Sequence, residues 1–218
     1  MIKRNLGRDE HRKPEPVLPF DQRVDVILAY ALIFLIVLAL ILKRDLSALA
    51  RLPYKGGWML LALVIGLFVL QATTVIYVTG QTVLQMGILV LSQVTLCFLL
   101  VLNHHIPGAR LFVLGIALNL LVMIANGGLM PVTPETYHFV HPDRAVEVAT
   151  RPPSSKNIIL PRAETRLWLL SDIIRVTLPW QRTAVSVGDL LVIVGAAQFV
   201  FQPTSPKKKQ LIDCSDSA

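Results

Sequence analysis

The chain has 218 residues, 54% of them hydrophobic and 16% charged, with a formal net charge of +7. Ordinary soluble domains carry roughly 25% charged residues, whereas here Gly56 to Ala109 and Leu111 to Pro134 contain no Lys, Arg, Asp or Glu at all. A soluble core does not leave its solvent-facing stripes uncharged for that long, so the pattern argues for an all-α integral membrane protein. The basic residues flank apolar runs without aromatic interleaving, which reads as charge held at lipid headgroups and excludes a nucleic-acid surface.

In chain order, residues 1–24 form a polar N-terminal tail with six basic and four acidic residues. Crossing the hydrocarbon takes about 20 predominantly apolar residues. About five transmembrane helices are therefore expected, near 26–42, 58–78, 82–102, 111–126 and 187–202, in a single domain over 25–202. The first run is followed by Lys43-Arg44 without a small-residue cleavage site, so it reads as a retained helix. Thr79-Gly80-Gln81 is the expected turn between the second and third helices. These two carry Gln71, Gln85, Ser92 and Gln93, which interhelical hydrogen bonding explains better than the lining of a transport path.

The fourth helix runs into Asn126-Gly127-Gly128 and then Pro131, a stop built from residues that leave the right-handed helix and cannot resume it. Asn119 and Asn126 are seven apart and share a face. The outer loop, 127–185, holds Pro131, Pro134, Pro142, Pro152 and Pro153, which are expected to break up regular structure. One stretch differs. From Thr165 to Val176 the apolar residues Leu167, Trp168, Leu170, Ile173 and Ile174 recur at helical spacing, so one interfacial amphipathic helix is expected there. His138 and His141 lie near Glu135 and Asp143, but Pro142 prevents a helix from presenting the pair, so no metal site is expected. No cofactor motif is present, and Cys97 and Cys214 form no recognisable pair.

The fifth helix opens with Ser186-Val187-Gly188-Asp189, a capping box in which the hydroxyl and the carboxylate satisfy the first backbone donors reciprocally. Gly127, Gly128, Pro131, Ser186 and Gly188 are thus read as structural caps. The alternation of spans brings the end of the fourth helix and the start of the fifth to one side of the membrane. Asn119, Asn126, Asp172 and Asp189 are then the candidate polar site, because ionisable groups near the bilayer tend to mark function. Counting Lys and Arg on alternate sides puts Lys43, Arg44, Arg51, Lys55, Arg110 and Lys207 to Lys209 in the cytoplasm. The loop 127–185 and the N-terminus then face outward, and the polar C-terminal tail 203–218 faces inward.

Three blocks together carry a resemblance: Leu118 to Val132 with Asn126-Gly127-Gly128 and Met130-Pro131, Thr165 to Ile173 with Trp168 and Asp172, and Val185 to Asp189. They resemble a group of bacterial polytopic membrane proteins catalogued as a domain of unknown function. The resemblance spans roughly residues 26 to 201 and implies a bacterial cytoplasmic membrane with the long loop outward; it implies no activity. This chain departs from the group in its basic N-terminal extension. The residues themselves favour a non-catalytic subunit or interaction partner of a membrane complex, with the bilayer and a membrane protein or a second copy of the chain as partners. The rival expectations are a transporter or channel-like protein using Asn119, Asn126, Asp172 and Asp189, and a membrane enzyme using Asp172 and Asp189 on a lipid-linked substrate.

Overall fold

A computed structural model of the chain describes residues 27–77, 83–153 and 155–203. The expected N-terminal tail, the Thr79-Gly80-Gln81 turn and the C-terminal tail from 204 onward lie outside the described residues. The uncharged apolar runs form helices, in which each backbone N–H pairs with a carbonyl of the same run. They are α1 (Ile27–Ile41), the single turn α2 (Ser47–Ala50), α3 (Gly57–Tyr77), α4 (Val83–Leu102), α5 (Ala109–Ala125) and, after the loop, α7 (Val187–Phe201). Among the described residues only α4 is long and apolar enough by itself to cross a membrane; Tyr30–Ile41, Ile65–Val75, Ala109–Ala125 and Val187–Phe201 are shorter apolar helical stretches.

The long helices stand in a row. The central helix, α5, packs on α4 and most intimately on α7, while α3 leans on α4 and α1 on α7. Two glycine pairs seven residues apart set the α5–α7 approach. Gly108 meets Gly195 and Gly115 meets Gly188, so the two helices run antiparallel. A Cβ added at Gly115 would sit 2.5 Å from the Gly188 carbonyl oxygen, closer than any side chain tolerates. The outward surfaces are apolar on every long helix, with Phe34, Val69, Phe98, Ile124 and Val194 exposed. Gln85 and Ser92 are buried instead, at 0% and 1% exposure.

Between α5 and α7 the chain builds a crown at one end of the row. It contains β1 (Met130–Val132), α6 (Pro134–Val140), β2 (Asn157–Ile159), one 3-10 turn (Trp168–Leu170), β3 (Ile174–Thr177) and β4 (Arg182–Val185). The strands β1 and β2 pair in parallel, Met130 opposite Asn157, and β3 and β4 form an antiparallel hairpin. Two expectations are corrected here. Pro142, Pro152 and Pro153 lie outside any helix or strand, as expected, but Pro131 sits in β1 and Pro134 occupies the first turn of α6, where its missing N–H costs nothing and the Thr133 side chain caps the helix. No amphipathic helix forms over Thr165 to Val176, so the described fold is not purely helical. There the β-branched Ile174 and Val176 are half-buried while Arg175 and Thr177 are exposed, a strand alternation paired with β4 that outweighs the helical spacing.

The crown does not float above the helices. Leu129, Met130 and Ile158 share one buried cluster with Val75 of α3, Leu89 of α4 and Val122 and Met123 of α5.

Candidate functional site

Four polar side chains were expected to converge, and the structure divides them among three hydrogen-bonded groups. The first joins Asn119 to the start of α7. Ser186 Oγ donates to Asn119 Oδ1 at 2.8 Å and Asn119 Nδ2 donates to Asp189 Oδ1 at 2.8 Å. Within α7 the capping box is complete, since Asp189 N–H donates to Ser186 Oγ and Ser186 N–H to Asp189 Oδ2 at 3.0 and 3.1 Å. The result is a closed ring: both Asp189 oxygens accept, and both polar atoms of the Asn119 amide are used. Gly188 makes the ring possible, because a Cβ there would lie 2.1 Å from Asn119 Oδ1.

The second group is centred on Asn126. The glycines behind it end α5 as a Schellman motif, Gly128 N–H reaching the Met123 carbonyl at 2.7 Å and Gly127 N–H the Ile124 carbonyl. Both adopt left-handed backbone, φ +80° and +93°, which glycine accepts without strain. Asn126 is thereby free to act across the loop: Oδ1 accepts from Arg166 N–H at 3.0 Å and Nδ2 donates to the Arg166 carbonyl at 2.9 Å. One amide thus clamps a distant backbone as a neighbouring strand would. Asn103, just beyond α4, repeats the device at the opposite end. Its Oδ1 accepts from Lys55 N–H at 2.7 Å and its Nδ2 donates to the Lys55 carbonyl at 3.1 Å.

The third group lies in the crown. The buried Asp172 accepts from Asn157 Nδ2 through Oδ2 at 3.0 Å, while its own N–H reaches the Pro131 carbonyl. Asp172 therefore ties the 3-10 turn to β1 and β2.

Sequence reasoning missed Arg151. It is 8% exposed and sends its guanidinium into the bundle end, Nη1 to Gln85 Oε1 at 2.9 Å and Nη2 to the Val75 carbonyl at 3.0 Å. Burial pulls its pKa below the ordinary arginine value, yet an arginine stays charged at any physiological pH. Its charge lies beside the last turn of α3, where carbonyls carry the negative end of the helix dipole. A lone basic residue before Pro152-Pro153 has no periodicity to announce such a role; only the amide of Gln85, buried in an apolar helix, hinted that a partner was needed. Between the same two helices, Ser92 Oγ donates to Gln71 Oε1 at 2.6 Å, a polar tie of α4 to α3.

A small open pocket lies in the crown, lined by Val132, Tyr137, Val140, His141, Ser155, Asn157 and Ala184. Asn157 is buried, and its Oδ1 has no hydrogen-bond partner among the described residues. At the first turn of α6, Glu135 is held below the usual carboxylate range, first by its own backbone N–H, then by the Thr133 hydroxyl, with Arg175 adding attraction. Among the described residues no group of three His, Cys, Asp or Glu could hold a metal ion.

Fold and polar groups together define a row of apolar helices, tied internally by amides and closed at one end by a folded crown. The chain belongs to the family of unknown function DUF5317, whose model matches residues 51–201, from the end of α2 through α7. An uncharacterized protein of Thermotoga maritima is 35% identical over 118 residues, which cover 54% of this chain and 63% of the relative. The match thus spans less than two thirds of that relative. No solved structure matches the chain.

Proposed function

We propose that this is a multi-pass protein of the bacterial cytoplasmic membrane, with α1, α3, α4, α5 and α7 as its five spans, the crown outside and the C-terminus in the cytoplasm. Within that membrane it serves as a non-catalytic subunit or interaction partner of a membrane complex. One observation carries the reading. Asn119, Asn126 and Asp189, the polar groups at the junction of helices and crown, are engaged in bonds that hold helix to helix or helix to loop. Interhelical ties of this sort contribute about 1 kcal/mol each in lipid without any transported substrate. The apolar outward faces on every helix support lipid as the surrounding medium.

A second reading, binding or transport of a small molecule, is favoured by the crown pocket, where Asn157 Oδ1 is buried without a partner among the described residues. Native mass spectrometry on tagged protein extracted gently with its lipids separates the two. A stoichiometric protein partner supports the subunit reading. A lone chain carrying a defined small molecule, lost in Asn157→Leu, overturns it.

A further inference from the structure

The turn that follows the Asn126 clamp is built to face outward. Leu167 has φ +55°, a left-handed backbone that a branched side chain rarely adopts, and it directly follows the clamped Arg166. The clamp and the 3-10 turn after it hold this conformation in place. Its effect is to leave Leu167 and Leu169 exposed, at 44% and 65%, on either side of Trp168. The Arg162 guanidinium lies 3.7 Å above the Trp168 ring, and Arg162 and Arg166 are both exposed. The turn packs on α5 and α7, whose adjoining turns expose Leu121, Ile124 and Leu190. Two exposed leucines, a half-buried tryptophan and two arginines therefore continue an apolar helix surface at the level where the helices end.

Water offers nothing to Leu167 and Leu169, and a protein scaffold has no reason to hold a strained leucine outward. A lipid–water boundary suits the four exposed side chains at once, acyl chains for the leucines and phosphate oxygens for the guanidiniums, with the half-buried indole between them. We infer that residues 166–169, with Arg162, form an interfacial foot seated in the phospholipid headgroup layer on the crown side. This rests on the membrane reading proposed above. The occupant is the phospholipid itself, recognised by an anionic phosphate above an apolar layer.

Trp168 supplies the probe. In a Trp58→Phe, Trp180→Phe background, the only remaining tryptophan is Trp168. The variant is reconstituted into phosphatidylcholine–phosphatidylglycerol vesicles whose acyl chains are brominated near the headgroup. The foot predicts that Trp168 loses most of its emission, and that Leu167→Asp with Leu169→Asp restores it. A control carries one tryptophan at Leu91, on the exposed face of α4, with Trp58, Trp168 and Trp180 all replaced by Phe, in vesicles whose acyl chains are brominated at mid-bilayer depth. Control quenched and Trp168 unquenched would overturn the foot and leave the membrane reading standing. If neither is quenched, the membrane reading falls as well. Persistent quenching in the folded aspartate pair would also overturn the role given to the leucines.

Discussion

At the scale of single residues, the working parts of this chain are side chains that bond backbone far away in sequence. Arg151 is the strongest case, since it reaches the Val75 carbonyl and Gln85 from within the crown. Arg151→Met keeps the length of the stem and removes the donors, at an expected cost of about 1–3 kcal/mol for each buried acceptor deprived of its partner. Hydrogen exchange should show it first, as faster exchange over residues 149–159 than over α5. Glu135 makes a prediction in pH. Its folded-state pKa is depressed, so the stability it lends is fully present above its unfolded value, near ~4.3, and is lost as pH falls through the folded value. Protection of α6 should hold from neutral pH down to that region and weaken below it, with Glu135→Gln removing the pH dependence and leaving the helix weaker at neutral pH.

At the scale of elements, α5 and α7 are governed by the two glycine contacts. Gly188→Ala sets a methyl against Asn119 Oδ1 and the Gly115 carbonyl. Such overpacking costs typically about 1–3 kcal/mol, and the loss should appear as a lower unfolding midpoint in detergent. Gly66→Ala on α3, where nothing lies within 4 Å, is the matched control and should be close to neutral. The positions of the long helices were legible because uncharged apolar length is a one-dimensional property; the run expected near 58–78 is α3 at Gly57–Tyr77. The Ser186 capping box was equally legible, being local. The crown was not. The parallel partner of β1 lies 27 residues away, Met130 opposite Asn157, and no short-range period encodes such a pairing. The segment after Thr165 misled for a related reason: its apolar spacing suits a helix, while its β-branched content and the Leu178–Gln181 turn suit the hairpin that forms. Of the candidate residues, Asn119 and Asp189 meet, whereas Asn126 and Asp172 serve other partners that sequence spacing did not reveal.

For the whole molecule, the helices alternate in direction, so the crown lies at one end of the row and the Lys55–Asn103 clamp at the other. Single cysteines replacing Arg144 and Lys55 should then label from opposite sides of sealed vesicles, Arg144→Cys with the outer reagent and Lys55→Cys only after the membrane is opened. Labelling of both from one side would contradict the proposed spans. Because crown and bundle share one buried cluster, both sites should also lose their pattern together when the protein unfolds, in a single transition rather than two.

The ring between Asn119 and α7 has a consequence in time. Its members are separated by 67 and 70 residues, and a ribosome adds about 5–20 residues per second. From the moment Asn119 is made, its amide therefore waits about 4–14 seconds before Asp189 exists to receive it. During that interval α5, the central helix of the finished row, presents Gly108, Gly115 and Asn119 to whatever stands beside it. Under the membrane reading proposed above, a helper that shelters nascent segments would find there an exposed seam of small residues with an amide at one end, and would have to release it when α7 arrives.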